Sequence, residues 1–383
     1  MKVNHAHLTL FFTRGISLQK WEKAGLLERE LAVYRRLLSH LKGINLVTYG
    51  DERELAYLDQ LDGIQILCNR WKLPTYLYAL LIPFLFKNQL IGTDLIKTNQ
   101  MRGAESAAIA ARLYSKPLLA RSGYVWSERD RSNAAVGNWR TIRQALLVEG
   151  FVYRRAARAV VPTPYLKSYI SETHRLDQGK VAVVPNYVDA ERFVPQPSKH
   201  DENGKLKLIF VGRFVPQKNL INLLYALKGL DVALTLVGDG VLRQELEGIA
   251  EREQLDVTFT GKIPGEEIPA VLNRAHVYIS PSEWEGHPKA LIEGMACGLA
   301  AIGSDAPGNR DTIVHEASGL ICQTDPESIR AAIQSLIEDR ALVERLGKNG
   351  REQVLREYSL DAVLQKELAL YRRVLNKKLD LEE

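Results

Sequence analysis

Two glutamates in one short run carry the clearest chemical signal in the sequence. The run extends from Pro281 to Gly298, follows a short apolar segment, and has seven residues between Glu285 and Glu293. Ionised carboxylates only accept hydrogen bonds, so each suits a hydroxyl-rich group such as a sugar or a ribose. Pro288 suits the first turn of a helix, where the free N–H groups of Gly286 and its neighbours would receive a phosphate. The alternative is an ordinary capped helix with surface acids.

Two cations form the second signal. Arg213 and Lys218 follow the apolar segment LKLIFV and precede a segment with helical periodicity. Together they would pair with a diphosphate and offset the negative charge that a departing nucleoside diphosphate develops. The alternative is that both are solvated loop residues.

Two glycine-containing turns follow the next apolar segments. Gly238 and Gly240 resemble part of a dinucleotide-binding loop, but the full GxGxxG pattern would need glycine at the position of Arg243, which disfavours NAD binding. A tight turn that lets a nucleotide approach the backbone is the better interpretation. Lys262 and Ile263 end the following strand in the same layer, and they are either part of a base pocket or plain turn residues.

A mixed aromatic and charged segment, Arg121 to Arg131, forms a fourth candidate. Tyr124 and Trp126 could stack on sugar faces, while Arg129 and Arg131 could meet an anionic acceptor. The alternative is a mobile surface loop.

The elements that must position these residues alternate along the chain. Short β-branched apolar segments are followed by longer segments of helical periodicity, which is typical of parallel sheets built from βαβ units. Strands are expected near His7 to Phe12, Asn45 to Thr48, Gln65 to Cys68, Leu95 to Thr98, Leu118 to Arg121, Ala159 to Val161 and Val181 to Val184. A second series comprises the segments LKLIFVG, VALTLVG, VTFTG, VYISPS and AAIGS. Ser17 is expected to cap one helix that carries the apolar residues Trp21, Leu27, Leu31, Tyr34, Leu38 and Leu41.

The combination of these motifs resembles family four of the retaining glycosyltransferases, also called glycosyl transferases group 1. The resemblance rests on Arg213 with Lys218, the GlyAspGly turn, the PheThrGly turn at Phe259 to Gly261, the two spaced glutamates and the junction ValValProAsnTyrValAsp. It covers nearly all of the C-terminal half. It implies an α/β protein of GT-B architecture, in which two Rossmann-like domains face each other across a cleft and a C-terminal helix crosses back to the N-terminal domain.

The expected domains follow from the resemblance and from a linker-like stretch rich in Pro, Asn, Lys and Gly. Residues 1–186, with the C-terminal helix from about 359 to 383, would form an N-terminal acceptor-binding domain. Residues 187–358 would form the domain that binds the nucleotide-sugar donor. Open α/β sheets bind ligands outside the carboxyl ends of their strands, so the chemistry is expected there.

The resemblance also assigns roles to single residues. Glu293 would hold the donor ribose and Glu285 would contact the donor sugar, while Arg213 and Lys218 would hold the diphosphate. The catalytic set is therefore Arg213, Lys218 and Glu285. The expected donor-binding set is Gly15, Gly212, Gly238, Gly240, Lys262, Ile263, Gly286, His287, Pro288, Lys289, Ala290 and Glu293. The expected acceptor-binding set is Arg121, Tyr124, Trp126 and Arg129.

The N-terminal half departs from the family pattern at two places. The loop after the first strand has one glycine, Gly15, where many members have two. Many members have a histidine after the strand that corresponds to Leu118 to Arg121, whereas none of the eight histidines here falls between His40 and His174. We therefore assign no catalytic histidine; a front-face substitution, in which the leaving phosphate helps to deprotonate the acceptor, needs none. The resemblance also implies that no metal and no further cofactor is required.

The charge is distributed unevenly. Residues 1–184 contain 27 Lys plus Arg against 15 Asp plus Glu, which leaves 24 against 31 for the rest of the chain. A basic first half suggests an anionic partner such as a membrane surface, although unequal solvated charge is the alternative. The apolar run from Tyr76 to Phe86, flanked by Arg70, Lys72 and Lys87, is too short to span a bilayer. It would lie either in a membrane interface or in the core.

Composition excludes a disordered or fibrous chain, because 46% of the 383 residues are hydrophobic and 25% are charged. The three widely spaced cysteines, Cys68, Cys297 and Cys322, suggest neither a disulfide framework nor a metal site, which favours a reducing compartment. No secretion signal and no apolar stretch of about 18 residues is recognised. We expect a cytoplasmic protein that is soluble or peripheral at the inner face of the membrane.

The function expected from sequence is transfer of a hexose-type sugar from a UDP- or GDP-sugar to an acceptor hydroxyl, with retained anomeric configuration. The acceptor would be a lipid-linked glycan, a lipopolysaccharide or a surface polysaccharide precursor, and no nucleic acid partner is expected. One alternative is a nucleotide-sugar epimerase with the same fold, which the paired glutamates and the basic first half disfavour. A catalytically silent subunit that binds nucleotide sugars is the other.

Overall fold

The computed structural model describes residues 5–132, 138–196 and 204–379. The chain divides into two compact units, of which the first is Met1–Val184 with Val363–Glu383 and the second is Pro185–Ala362. The sequence-based boundary between residues 186 and 187 lies close to this division. Within the described ranges, no helix has both the length and the apolar composition needed to cross a membrane.

The first unit is an α/β layer structure around a seven-stranded sheet. Its strands are β1 His7–Phe11, β2 Gly43–Val47, β3 Ile64–Leu67, β4 Leu95–Thr98, β5 Leu118–Arg121, β6 Arg158–Val161 and β7 Val181–Val183. Its helices are α1 Leu18–Lys23, α2 Leu27–Leu38, α3 Thr75–Leu85, α4 Lys87–Ile91, α5 Ala104–Leu113, α6 Trp126–Ser132, α7 Trp139–Arg155 and α8 Pro164–His174. The strands pair in parallel in the order β3-β2-β1-β4-β5-β6-β7. The seven strands expected from sequence are therefore all present.

The sheet is covered by helices on both faces, and its strands are mostly apolar, as parallel sheets of this kind require. All five residues of β2 are buried. Helix α5 contributes a row of buried alanines, which lets it pack closely into the same apolar cluster as Tyr78 and Ile82 of α3. Successive strands are added towards one edge of the sheet from β1 to β3 and towards the other edge from β4 to β7, so the strand order reverses between β1 and β4. The carboxyl ends of β1 and β4 are therefore the expected ligand-binding edge.

The prediction of a single helix after Ser17 is wrong. Ser17 does cap a helix, since its side chain accepts a hydrogen bond from the Lys20 N–H, but that helix ends at Lys23. Gly25 then adopts a positive φ of 66°, and α2 begins at Leu27. The break occurs because a left-handed residue cannot continue a right-handed helix.

The second unit contains a six-stranded parallel sheet. Its strands are β8 Leu206–Val211, β9 Val232–Val237, β10 Val257–Gly261, β11 Val277–Ser280, β12 Ala300–Ser304 and β13 Leu320–Cys322. Its helices are α9 Leu220–Ala226, α10 Arg243–Arg252, α11 Ile268–Leu272, α12 Lys289–Ala296, α13 Pro307–Arg310, α14 Pro326–Glu338 and α15 Arg340–Glu357. The strand order is β10-β9-β8-β11-β12-β13, with the reversal between β8 and β11. The sequence analysis missed β13, a three-residue strand at the edge of the sheet.

The last helix, α16 Leu360–Leu379, continues from the second unit into the first. A buried ion pair fixes it to the first sheet, because Glu367 of α16 accepts hydrogen bonds at 2.7 Å from Lys97 Nζ of β4. The Tyr371 hydroxyl also donates to Glu367, at 2.7 Å. Helix α16 is therefore attached to the first unit by charged side chains that are buried in that unit.

Candidate functional site

The reversal in the second sheet brings two of the sequence motifs together. The loop after β8 contains Lys218 and the loop after β11 contains Glu285, and β8 and β11 are neighbours in the sheet. The two loops are tied by hydrogen bonds from Glu283 N–H to the Gln217 carbonyl, at 2.9 Å, and from Gln217 Nε2 to the Trp284 carbonyl, at 2.8 Å. This edge of the sheet is where open α/β folds bind ligands.

Lys218 and Glu285 form an ion pair at this edge. The Ser282 hydroxyl donates a hydrogen bond of 2.7 Å to Glu285 Oε1, the oxygen that also contacts Lys218. Both side chains are largely buried, with 17% of Lys218 and 11% of Glu285 exposed. A cation, a carboxylate and a hydroxyl in one place can bind phosphate oxygens and sugar hydroxyls together.

A polar network beneath Glu285 was not identified from sequence. The Gly308 N–H donates to the Glu285 carbonyl at 3.1 Å, and a side chain at Gly308 would lie 2.6 Å from that oxygen. Asn309 is fully buried, and its Nδ2 donates to the carbonyls of Ser280, at 3.0 Å, and Ser304, at 3.1 Å. The available signal was the polar run SerAspAlaProGlyAsn after the strand AAIGS, which breaks an apolar series at a carboxyl end.

Arg213 lies in the same loop as Lys218 but in a different environment. Its side chain is exposed and makes no ion pair or hydrogen bond with any of the described residues. Lys262, after β10, is also exposed, whereas Ile263 packs with Ala290 against an apolar cluster of this unit. The structure therefore places Arg213 and Lys262 where they can meet a ligand from solvent.

The predicted glycine turns shape the floor of the site. Gly238 has a φ of 135°, and a side chain there would lie 1.9 Å from the Gly212 carbonyl oxygen. A side chain at Gly240 would lie 2.3 Å from the carbonyl oxygen of Phe214. The N–H groups of Gly212 and Gly238 donate to Val237 and Gly261, both at 2.9 Å. These glycines let the loops after β8 and β9 pack against each other. The Gly240 N–H donates to Asp239 Oδ1 at 2.8 Å, so the N–H groups of all three glycines are already used.

The start of α12 differs in detail from the expectation. Pro288 is the residue before the helix and Lys289 is its first residue, so the placement of Pro288 in the first turn is wrong. Gly286, His287 and Pro288 are buried. The His287 ring accepts a hydrogen bond from the Asn186 N–H at 3.2 Å and packs edge-on against Tyr358. The side chain of His287 therefore anchors the loop.

Glu293 is half-buried on α12, on the same side of the sheet as Tyr278. Gly294 allows this approach, because a side chain there would lie 2.7 Å from the Tyr278 ring. Burial raises the pKa of Tyr278, and the charges of Glu285 and Glu293 raise it further. Glu285 therefore lies in the loop and Glu293 in the helix, as expected.

Two of the predicted residues of the first unit, Trp126 and Arg129, line a cavity of about 220 Å³. It is lined by Arg14, Tyr76, Arg102, Glu105, Trp126, Arg129, Asp130, Thr141 and Gln144. Trp126 and Arg129 belong to the expected acceptor set. The Tyr124 ring lies 5.1 Å from the Arg129 guanidinium, whereas Arg121 lies at the end of β5 and does not line the cavity. Residues 126–132 form helix α6, so the alternative of a mobile loop is wrong there.

Gly15 follows β1 in a loop next to this cavity. Its φ is 77°, and a side chain there would meet nothing within 4 Å. The loop is fixed at Arg14, whose N–H donates to the Arg102 carbonyl at 2.9 Å. Among the described residues, no group of three or more His, Cys, Asp or Glu side chains could hold a metal ion.

Comparison with known proteins identifies the class. Residues 43–192 match the family model described as Glycosyltransferase Family 4, and residues 194–353 match the model described as Glycosyl transferases group 1. These matches and the fold define a glycosyltransferase of the GT-B type. The chain belongs to the family-four glycosyltransferases, which confirms the family and the fold class expected from sequence.

Three similar proteins are informative. The UDP-Gal:alpha-D-GlcNAc-diphosphoundecaprenol alpha-1,3-galactosyltransferase of Escherichia coli is 27% identical over 290 residues, which cover 70% of this chain and 72% of that protein. The structure of sucrose-phosphate synthase from Thermosynechococcus elongatus has a TM-score of 0.77 at 20% identity, covering 97% of this chain and all of that one. Anabaena HepE, in complex with UDP and glucose, has a TM-score of 0.75 at 17% identity, covering 96% of this chain and all of that one.

Proposed function

We propose that this glycosyltransferase takes a UDP- or GDP-sugar as its donor and transfers the sugar with retained anomeric configuration and without a bound metal. The contact between Lys218 and Glu285 carries the proposal. A nucleotide sugar offers the two matching groups, a diphosphate for the cation and sugar hydroxyls for the carboxylate. The E. coli relative is named for UDP-Gal and the HepE structure contains UDP and glucose, which supports a UDP-sugar in particular.

The donor would be held by the second unit. Lys218 and the exposed Arg213 balance the charge that accumulates on the diphosphate as the glycosidic bond breaks. Glu285 orients the donor sugar, and Ser282 holds its carboxylate through the hydrogen bond to Oε1. Glu293 accepts hydrogen bonds from the ribose hydroxyls, while Ile263 and Lys262 border the base. In this scheme the two cations stabilise the departing diphosphate, and the two carboxylates hold the sugar and the ribose.

The transfer step needs no histidine base. The acceptor oxygen bonds to the anomeric carbon on the face from which the phosphate oxygen departs, and the acceptor proton passes to that phosphate oxygen. The products are the glycosylated acceptor and the protonated nucleoside diphosphate. This scheme fits the position after β5, where the chain has Arg121 to Tyr124 and no histidine.

The acceptor would be bound by the first unit. We propose a lipid-linked glycan, a lipopolysaccharide or a surface polysaccharide precursor, on a protein that works at the cytoplasmic face of a membrane. The name of the E. coli relative includes a diphosphoundecaprenol-linked sugar, which supports the first of these. Trp126 and Arg129, at the cavity, are suited to a sugar ring and to an anionic group respectively.

The test is a thermal-shift panel of the purified protein with UDP, GDP, ADP, CDP and NAD, followed by sugar nucleotides of the base that stabilises it. A ligand at 100 times its Kd should stabilise the folded protein by about 2.7 kcal/mol. We expect a shift with UDP or GDP, and release of the nucleoside diphosphate from the matching sugar nucleotide. Stabilisation by NAD alone would contradict the proposal, and nucleotide binding without turnover would favour the silent subunit instead.

The stereochemistry is tested by proton NMR of the first product formed. Retention predicts that the anomeric centre of the product has the configuration of the donor sugar. The same configuration is expected for the free sugar that slow hydrolysis of the donor releases. An inverted anomer as the first product would contradict the front-face scheme. Recovery of an epimerised sugar nucleotide would identify the epimerase alternative.

A further inference from the structure

The cavity of the first unit combines three arginines with two acids. Arg14 forms an ion pair of 2.7 Å with Glu105, and Arg129 forms one of 2.6 Å with Asp130. Arg102 is exposed and makes no side-chain hydrogen bond or ion pair with the described part of the chain. The cavity therefore has an excess of positive charge and a guanidinium that is available to a ligand.

The side chains of Arg14 and Arg129 are held by their ion pairs, whereas Arg102 is held only through its backbone. The Arg14 N–H donates a hydrogen bond of 2.9 Å to the Arg102 carbonyl. Gly103 has a φ of 94°, and a side chain at Gly103 would clash with Arg14. Asp130 is buried and accepts hydrogen bonds from both Trp126 Nε1, at 3.0 Å, and Arg129. A site with preset donors loses less entropy when it binds an anion.

Helix α6, which carries Trp126 and Arg129, is itself anchored by a buried acid. Glu149 of α7 is fully buried and accepts hydrogen bonds from the Ser127 N–H, at 3.0 Å, and the Ser127 hydroxyl, at 2.6 Å. His174 Nε2 lies 3.1 Å from the same carboxylate. The cavity wall is therefore built on rigid elements.

One wall of the cavity continues into an exposed apolar helix face. Tyr76 lines the cavity, yet 72% of its surface is exposed, and its ring lies 5.1 Å from the Arg14 guanidinium. It belongs to α3, where Leu80 is 60% exposed and Phe84 is 61% exposed. The other side of α3 is buried in the core, so the core interpretation of this run accounts for only half of the helix.

Basic residues flank this apolar face. Arg70 and Lys72 precede α3, Lys87 follows it, and all three are exposed. Exposed apolar side chains of this size, with cations at both ends, are suited to the interface of an anionic bilayer. The charge complementarity favours a lipid surface as the occupant.

We propose that the cavity binds the phosphate or diphosphate group of a lipid-linked acceptor, while the exposed face of α3 contacts the bilayer that carries the lipid. This inference rests on the proposed function, since it names the acceptor class and the residues that recognise it. Arg102, Arg14 and Arg129 donate to the phosphate oxygens, and Tyr76 lies where the phosphate meets the apolar chain. The sugar attached to the phosphate then lies against Trp126.

The first experiment uses the full-length protein and phosphatidylcholine vesicles with and without a polyprenyl diphosphate, separated by flotation. We expect binding to the loaded vesicles, reduced at least tenfold in Arg102→Gln, because the variant loses a charged hydrogen-bond donor to the phosphate. Arg112→Gln is the matched control, since it removes the same charge from an exposed site at the other end of α5. Equal loss in both variants, or no loss in Arg102→Gln, would overturn the proposal.

Two further measurements separate the sources of phosphate. Phe84→Ser should reduce vesicle binding, but it should leave the calorimetric affinity for inorganic pyrophosphate unchanged. If pyrophosphate binds as tightly as farnesyl diphosphate and Phe84→Ser has no effect on vesicle binding, the site is one for a free phosphate compound and the lipid assignment is overturned.

Thermal stabilisation by UDP or GDP is measured on the same variants. Since Arg102→Gln lies outside the second unit, it should leave that stabilisation intact, so failure of the donor site and failure of the lipid site are distinguishable.

Discussion

Lys218 and Glu285 are 67 positions apart in the sequence and form an ion pair at the carboxyl ends of two neighbouring strands. Each belongs to a different sequence motif, and the order of the second sheet places β8 beside β11. The pair lies mostly out of water, where its charges interact more strongly than on the surface. It defines the centre of the donor site that we propose.

Glu293 is expected to contribute to nucleotide affinity. Glu293→Gln should weaken binding of the stabilising nucleoside diphosphate by tenfold or more, because it replaces a charged acceptor for the ribose hydroxyls with a neutral amide. Isothermal titration calorimetry measures the change. Glu266→Gln, at an exposed position of the same unit, is the control and should bind as the native protein does. Equal affinities in the two variants would remove Glu293 from the donor site.

The glycine turns are expected to be essential for the fold of the second unit. Gly238→Ala forces a side chain to within 1.9 Å of a carbonyl oxygen at a positive φ, so it should destabilise the unit by about 3 kcal/mol or more. Gly248→Ala is the matched control: Gly248 lies within α10 and a side chain there meets nothing within 4 Å, so it should stabilise by roughly 0.5–1 kcal/mol. Thermal unfolding of both variants checks the opposite signs. A stable Gly238→Ala protein would show that this turn is adaptable.

The buried pair of Lys97 and Glu367 should hold α16 in place. Removing one member leaves a buried charge without compensation, so Lys97→Met should destabilise the first unit by about 3–5 kcal/mol, whereas replacing both residues by Met should cost less than the sum of the single changes. Urea unfolding followed by tryptophan fluorescence reports on this unit, because four of the five tryptophans lie in it: Trp21, Trp71, Trp126 and Trp139. Additive losses would show that the two residues act independently.

The same pair predicts a pH dependence. Burial is the largest single influence on the pKa of Glu367 and raises it. The charges of Lys97 and Arg121, together with the hydrogen bonds from Lys97 and Tyr371, outweigh burial, so the pKa is lowered from its usual 4.5. A lowered carboxyl pKa stabilises the folded state above the unfolded pKa, and this stabilisation is lost as the pH falls below 4.5 through the folded pKa. Native protein should therefore lose unfolding free energy in that acid range more steeply than the double Met variant. Parallel pH profiles for the two proteins would contradict this assignment.

The strand positions of both sheets could be predicted from sequence, because buried parallel strands are short apolar runs that stand out between helices. The paired glutamates and the cations were identifiable for a similar reason, since polar residues directly after such runs fall on one sheet edge. The direct contact between Lys218 and Glu285 could not be predicted without the family resemblance, because local sequence patterns do not give the order of the strands in a sheet. The exception among the strands is the edge strand β13, which was missed although β7, of the same length, was predicted.

Other features depend on residues that are distant in the chain. Arg14, Arg102 and Arg129 meet in one cavity only because β1, α5 and α6 are brought together by the sheet. The buried role of Asn309 depends on hydrogen-bond partners that lie on β11 and β12, which the polar run after β12 does not reveal. The break between α1 and α2 depends on the single left-handed residue Gly25, which a periodic apolar pattern passes over. In the first two cases the deciding interaction is tertiary, whereas the helix break is set locally by the backbone of Gly25.

The most direct test of the account is the rate at which Lys218→Ala releases nucleoside diphosphate from the sugar nucleotide that stabilises the native protein. Lys228→Ala is the control, because Lys228 is an exposed lysine paired with Glu253 outside the site. We predict that Lys218→Ala lowers turnover by roughly 10²–10³-fold, the cost of removing a preorganised donor from a developing charge, while Lys228→Ala turns over at the native rate. Native turnover in Lys218→Ala, with the fold intact by circular dichroism, would contradict the placement of the donor diphosphate at the Lys218–Glu285 pair.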